Sequence, residues 1–204
     1  MTLVEVLVVI FVLVVLAAML LPALTRPKYG SRINCVNNLK EIGLMYRVWE
    51  GDNDNKFPMQ VSVTNGGAME SVLRGDAVLN YLVMSNELSI PKILVCPQDK
   101  GRTYATNFAG LTAKNISYFI GLDASDSHPQ ALLAGDDNFL IAGSPVKSGL
   151  LELSTNTAIA WSAERHNKVG NVVLADGSVQ QLTTPGLQAA LTQTSLATNR
   201  LIIP

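Results

Sequence analysis

Residues 1–24 read MTLVEVLVVIFVLVVLAAMLLPAL, and Glu5 is the one acidic or basic side chain among them. From Val6 to Leu24 the run is apolar throughout. As a helix rising 1.5 Å per residue it spans about 28 Å, close to the hydrocarbon thickness of a bilayer. The residues therefore predict one transmembrane helix. A cleavable secretory signal needs a basic leader, a shorter apolar core and a small-x-small cleavage site. Here no Lys or Arg precedes Arg26, and an acid stands where a base belongs. A core helix is usually apolar along one stripe, whereas this run is apolar all round. The basic residues Arg26, Lys28 and Arg32 follow the run, so charge counting alone places the remainder in the cytoplasm. A basic leader once present before Met1 and since removed would reverse that orientation.

The rest of the chain has an ordinary soluble composition. Over its 204 residues 48% are hydrophobic and 15% charged, with a formal net charge of -1. That suffices for one domain plus an appendage, or for one large domain. With an isoelectric point near 6.1 and no basic stripe, the chain carries no electrostatic footprint for nucleic acid.

From Ser31 the pattern becomes amphipathic. Cys35, Val36, Leu39, Ile42, Met45, Tyr46 and Trp49 recur at steps of three and four, while Lys40, Glu41, Arg47 and Glu50 lie off the stripe. One long helix is expected from Met1 to about Trp49, its first 24 residues hydrophobic and residues 31–50 amphipathic, with the stripe docked on a head formed by 51–204. Pro22 removes a hydrogen bond and crowds the preceding turn, so a kink is expected around 17–22. The run Gly51-Asp52-Asn53-Asp54-Asn55 ends the helix. Its alternating Asp and Asn offer oxygen ligands, but the glycine and glutamate of an EF-type loop are absent, which favours a terminating Asx turn over calcium.

In the head a short helix is expected over Met69 to Tyr81, and strands over Lys92–Val95, Ile116–Gly121, Phe139–Ala142 and Thr157–Ser162. Asp176-Gly177, between two apolar-rich runs in NVVLADGSVQQL, is a hairpin signature. A last helix should begin at Thr184 with Pro185 in its first turn. The fold class expected is α+β: a long N-terminal helix packed on a small C-terminal antiparallel sheet. Cys35 and Cys96 either form one disulfide, if the head is extracytoplasmic, or pack as two buried thiols. No GxSxG, HExxH, P-loop or glycine-rich nucleotide fingerprint is present, so no catalytic set is recognised and the chain reads as a non-enzyme. His166 with Asp176 reads as a staple between a loop and the hairpin.

The opening segment resembles the N-terminus of type IV pilins and of the pseudopilins of type II secretion systems, through Met1, Thr2-Leu3-Val4, Glu5, the apolar run and Pro22. The resemblance implies a pilin-like head, cleavage before Met1 by a prepilin peptidase, N-methylation of the Met1 amine, and a part for Glu5 in assembly. Phenylalanine is the usual first residue of that family, and Met1 departs from it. CVNNLKEIGLMYRVWEGDNDNKFP, LVCPQD and RHNKVGNVVLADGSV together look like a bacterial pilin-like family with an H-x9-DG signature, here His166, Asp176 and Gly177. Major pseudopilins can hold calcium in a head loop, which makes Asp123, Asp126, Asp136 and Asp137 candidate ligands and calcium the one candidate cofactor.

An ionised carboxylate in an apolar setting is costly unless paired, which agrees with a partner for Glu5 on another chain. The function these residues imply is a structural subunit that polymerises with itself, through its hydrophobic helix, into an extracellular or periplasmic filament. Its partners would be the inner membrane before assembly, a prepilin peptidase, and pilus or secretion machinery. A minor pseudopilin of a secretion system is the nearest alternative. A membrane-tethered enzyme or ligand-binding domain is the alternative of another class.

Overall fold

Thr2 and Glu5 start the first helix by a reciprocal exchange that the spacing Thr-x-x-Glu permits. The Glu5 N–H donates to Thr2 Oγ1 at 3.3 Å, and the Thr2 N–H donates to Glu5 Oε2 at 2.7 Å. The computed structural model describes residues 2–24 and 28–204, with side chains described for 2–18 and 32–204. Met1 lies outside the described residues. Helix α1 spans Leu3–Leu24 and runs through Pro22, and α2 spans Lys28–Gly51. The chain divides into two compact units, Met1–Ser31 and Arg32–Pro204.

Two expectations are corrected here. Among the described residues no helix is long and apolar enough to cross a membrane. The helical positions of α1 with described side chains run from Leu3 to Ala18, about 24 Å, and Glu5 shortens the uninterrupted apolar part further. The small pilin-type head is overturned as well, because the second unit holds nine strands in two sheets among the described residues.

After α2 come the short helices α3 (Met69–Leu73), α4 (Val78–Val83) and α5 (Ser85–Leu88). The helix expected over Met69 to Tyr81 is broken at Gly75, whose φ of +86° suits glycine. The strand expected at Lys92–Val95 is a 3-10 turn over Pro91–Leu94, with Pro91 in its first turn. The strands are β1 (Tyr118–Gly121), β2 (Leu132–Asp136), β3 (Phe139–Ile141), β4 (Ser144–Pro145), β5 (Gly149–Ser154), β6 (Ile159–Trp161), β7 (Val169–Leu174), β8 (Val179–Thr183) and β9 (Thr198–Ile203), with α6 (Thr184–Gln193) between the last two. The large sheet has the order β5-β9-β1-β2-β7-β8 and the small one β4-β3-β6, with every pairing antiparallel.

The central strands of the large sheet are buried on both faces, and the period of two along them sorts side chains between two cores. Tyr118, Ile120, Val173 and Ile202 face Cys35, Leu39, Ile42 and Tyr46 of α2. Phe119, Val172, Leu174, Leu201 and Ile203 face Leu187 and Leu191 of α6 together with Phe139 and Trp161 of the small sheet. Phe139 and Trp161 stack at 4.8 Å between ring centroids. Leu133 and Ala134 both join the α2 side because the β2–β7 register shifts between Leu132 and Ala134.

Gly43 sets how closely α2 seats on the sheet, since a Cβ there would lie 2.6 Å from Val173 Cγ2. Gly43→Val should therefore destabilise the fold by about 1–3 kcal/mol in denaturant unfolding. Gly51→Ala, at the open end of the same helix with nothing among the described residues within 4 Å, should leave stability nearly unchanged. Equal stability of the two variants would show that this close seating does not constrain the fold.

Candidate functional site

The bend Ser162–Lys168 between β6 and β7 brings Arg165 and His166 under the end of β2. His166 is fully buried, and its Nε2 lies 3.4 Å from Asp136 Oδ2 and 3.3 Å from Cys96 Sγ. Asp136 Oδ2 also accepts the Asn171 N–H at 2.7 Å and the Asn171 side-chain amide at 2.9 Å. The backbone of the bend is held from α2, where Arg32 Nη2 donates to the His166 carbonyl at 3.1 Å.

Cys35 and Cys96 are joined in a disulfide, with Cα atoms 5.2 Å apart and 61 residues of separation. Closing a loop of that length contributes about 4 kcal/mol in the chain-entropy account. It fastens α2 to the segment that precedes the ionic cluster.

That cluster consists of two arginines and two aspartates. Arg165 Nη2 lies 2.6 Å from Asp99 Oδ2 and 2.5 Å from Asp137 Oδ1, and Arg165 Nη1 donates to the Ser117 carbonyl at 3.0 Å. Arg102 Nη2 donates to Asp137 Oδ2 at 2.8 Å and to the Pro204 carbonyl at 3.3 Å, and its Nη1 donates to the Ala113 carbonyl. Ser117 Oγ donates to Asp99 Oδ2 at 2.8 Å. Burial pushes Asp137 up to about 6 even though both guanidiniums pull it down. A cleft of about 200 Å³, lined by Arg102, Asp137, Asn138, Ser162 and Arg165, opens on one side of the cluster. A second, of about 360 Å³, lies along Gln98–Gly101, Glu164 and Arg165.

His166 and Asp176 are not brought together, which corrects the expected staple. They lie beyond opposite ends of β7, about 17 Å of strand. Asp176 instead shapes its turn, accepting the Ser178 N–H at 2.8 Å, and Gly177 adopts a φ of +84°. Arg47 on α2 ties this hairpin down. Its Nη1 donates to the Ala175 carbonyl at 3.4 Å and pairs with Asp126 at 2.6 Å and Glu50 at 2.7 Å. Burial, opposed by Arg47, raises Glu50, while the hydrogen bond from Arg47 lowers Asp126.

The four aspartates considered for calcium do not gather into one ligand set. Asp123 is held by Arg200, Asp126 by Arg47, Asp136 by Asn171 and Asp137 by Arg102 and Arg165. The Asp52–Asn55 run forms the turns that end α2. Among the described residues, Cys35, Cys96 and His166 bring their sulfur and nitrogen atoms within 4.8 Å of one another, with the two sulfurs joined in the disulfide. Sequence reasoning missed Asp99, Arg102 and Arg165, which are isolated charges in loops and form no local motif.

Asp137 yields a pH test. Its folded value near 6 exceeds the ordinary 3.8, so the folded state keeps a proton that the unfolded state has lost, and stability falls as pH rises through that window. The stability of the wild type relative to Asp137→Asn should fall by on the order of 2–3 kcal/mol between about pH 4 and pH 7. A flat difference across that range would mean that Asp137 stays ionised in its pair of arginines.

Comparison with family models, with curated proteins and with solved structures returned no match to this chain, so the functional reading rests on its residues and geometry.

Proposed function

We propose that the chain is a structural subunit that polymerises with copies of itself into a helical filament, with α1 as the polymerising element. The observation that carries this is the exposure of α1. Every large apolar side chain from Leu3 to Leu16 is exposed, from 36% at Val15 to 77% at Leu3. Each contributes about 1.5–3 kcal/mol when fully buried. A helix apolar on all sides has no single face to dock on one partner, and a bundle of identical helices covers it all round. The resemblance of the opening segment to type IV pilins and type II secretion pseudopilins supports the same reading. By that reading a prepilin peptidase and a pilus or secretion machinery act on the chain, and the filament lies at the cell surface or outside the cell.

In such a filament Glu5 has two roles that can be separated: it caps its own helix, and its charge meets the Met1 amine of a neighbouring copy. Glu5→Gln keeps an acceptor for the Thr2 N–H but removes the charge. Thr2→Ala removes half of the cap, at about 1 kcal/mol, but keeps the charge. Electron imaging of the secreted or sheared fraction should show filaments from the wild type and from Thr2→Ala. It should show few from Glu5→Gln and none from Val12→Glu, which places a charge in the middle of the apolar run. Abundant filaments from Val12→Glu, or normal behaviour with α1 exchanged for an unrelated apolar helix, would reduce α1 to a tether.

A further inference from the structure

We infer that Cys35, Cys96 and His166 form a binding site for a thiophilic divalent cation, zinc in particular, which becomes available when the disulfide is reduced. The three donor atoms lie within 4.8 Å of one another and all three residues are fully buried. A tetrahedral zinc ion bound at about 2.3 Å to sulfur and 2.0–2.1 Å to nitrogen requires donors about 3.6–3.8 Å apart. His166 Nε2 is 3.3 Å from Cys96 Sγ, so a shift of a few tenths of an ångström brings that edge to the required length. The two sulfurs reach it once their bond is cut. Sulfur and imidazole donors select zinc over calcium or magnesium.

The way the fold holds His166 points the same way. The imidazole stands between the disulfide and the buried Asp136, and a disulfide alone needs no imidazole beside it. Yet the chain holds His166 there with two consecutive non-glycine residues in the left-handed region, Asn167 at φ 55° and Lys168 at φ 64°. The Arg32 hydrogen bond and the double ion pair of Arg165 fix the bend on both sides. The ring directs Nε2 at the sulfur, and its buried Nδ1 has no hydrogen-bond partner among the described residues.

The chemistry balances in two steps. An external dithiol gives two electrons and two protons to the Cys35–Cys96 disulfide and becomes a disulfide itself, leaving two thiols. Zinc then binds both sulfurs and His166 Nε2, and the two thiol protons pass to solvent. The imidazole proton resides on Nδ1 in the bound form. Two thiolates neutralise the cation, and Asp136 stands beside the same nitrogen at 3.4 Å. The residues that close a loop under oxidising conditions thus hold a metal under reducing ones.

Cobalt(II) reports such sites through a thiolate-to-metal charge-transfer band and the visible bands of a tetrahedral ion. The full chain is refolded anaerobically with a phosphine as reductant, so that no added thiol competes, and titrated with cobalt and then with zinc. The expected result is one cobalt per reduced chain, displaced by zinc, with no such band from the oxidised chain. His166→Ala should bind at least about tenfold more weakly. Zinc-edge X-ray absorption of the reduced wild type should show two sulfur neighbours, which keeps the test decisive if His166→Ala does not fold. A folded, reduced chain without the charge-transfer band, equal binding by the oxidised chain, or a zinc shell of oxygen and nitrogen alone would overturn the site.

Discussion

A sheet that is apolar on both faces cannot stand alone, and the second unit is arranged around that constraint. One face is covered by α2 and the short helical segments after it, the other by α6 and the three-stranded sheet. Each cover is fixed by a close approach. Gly43 lets α2 sit against Val173, and Gly170 lets the Trp161 ring lie flat on β7, where a Cβ would meet it at 2.4 Å. Two ionic clusters lie at the sheet's ends, where Arg102 and Arg165 bind Asp99 and Asp137, and Arg47 binds Glu50 and Asp126. Removing either guanidinium from the first cluster would leave Asp137 with one arginine partner in place of two. In the first unit the large apolar side chains of α1 up to Leu16 are exposed.

How much of this could be read from the residues depends on whether the signal was local. Of the stripe Cys35, Val36, Leu39, Ile42, Met45, Tyr46 and Trp49, which announces the buried face of α2 through its helical period, Val36 and Met45 are half-buried and the rest buried, while Glu50, placed off the stripe, is buried too, beside Arg47. Asp176-Gly177 announces the β7–β8 turn, and Thr184-Pro185 the start of α6. Strand β2, LLAGD, carries no such signal: Ala, Gly and Asp are poor strand formers, and they are held there by β1 and β7 on either side. Strand β9, TNRLII, opens on polar residues that read as a loop. The spacing Thr2-x-x-Glu5 is a local helix-cap signal, set against an apolar run in which Glu5 stands out by its charge.

The ionic cluster was illegible for a different reason. Asp99 and Arg102 belong to one loop, Asp137 to the end of β2 and Arg165 to the bend before β7, and only the folding of the sheet brings them within 4 Å. The H-x9-DG spacing pointed to the right neighbourhood with the wrong partnership. Its histidine belongs to the cysteines and Asp136, its Asp-Gly to Arg47, and β7 keeps the two apart. The signature therefore marks both ends of one strand rather than one site.

The position of Cys35 has a mechanical meaning. It lies three residues past Arg32, where the second unit begins, and its bond to Cys96 crosses from α2 into the body of that unit. A pull on the N-terminal end of α2 therefore meets a covalent crosslink before it reaches Leu39, Ile42 or Tyr46. The helix cannot be peeled from the sheet one turn at a time from that end. Tension passes from the backbone at Cys35 directly to Cys96, and the packing of α2 beyond it is spared. With the disulfide reduced, the same pull would open the interface like a zipper, so the thiol state sets how the unit yields to force.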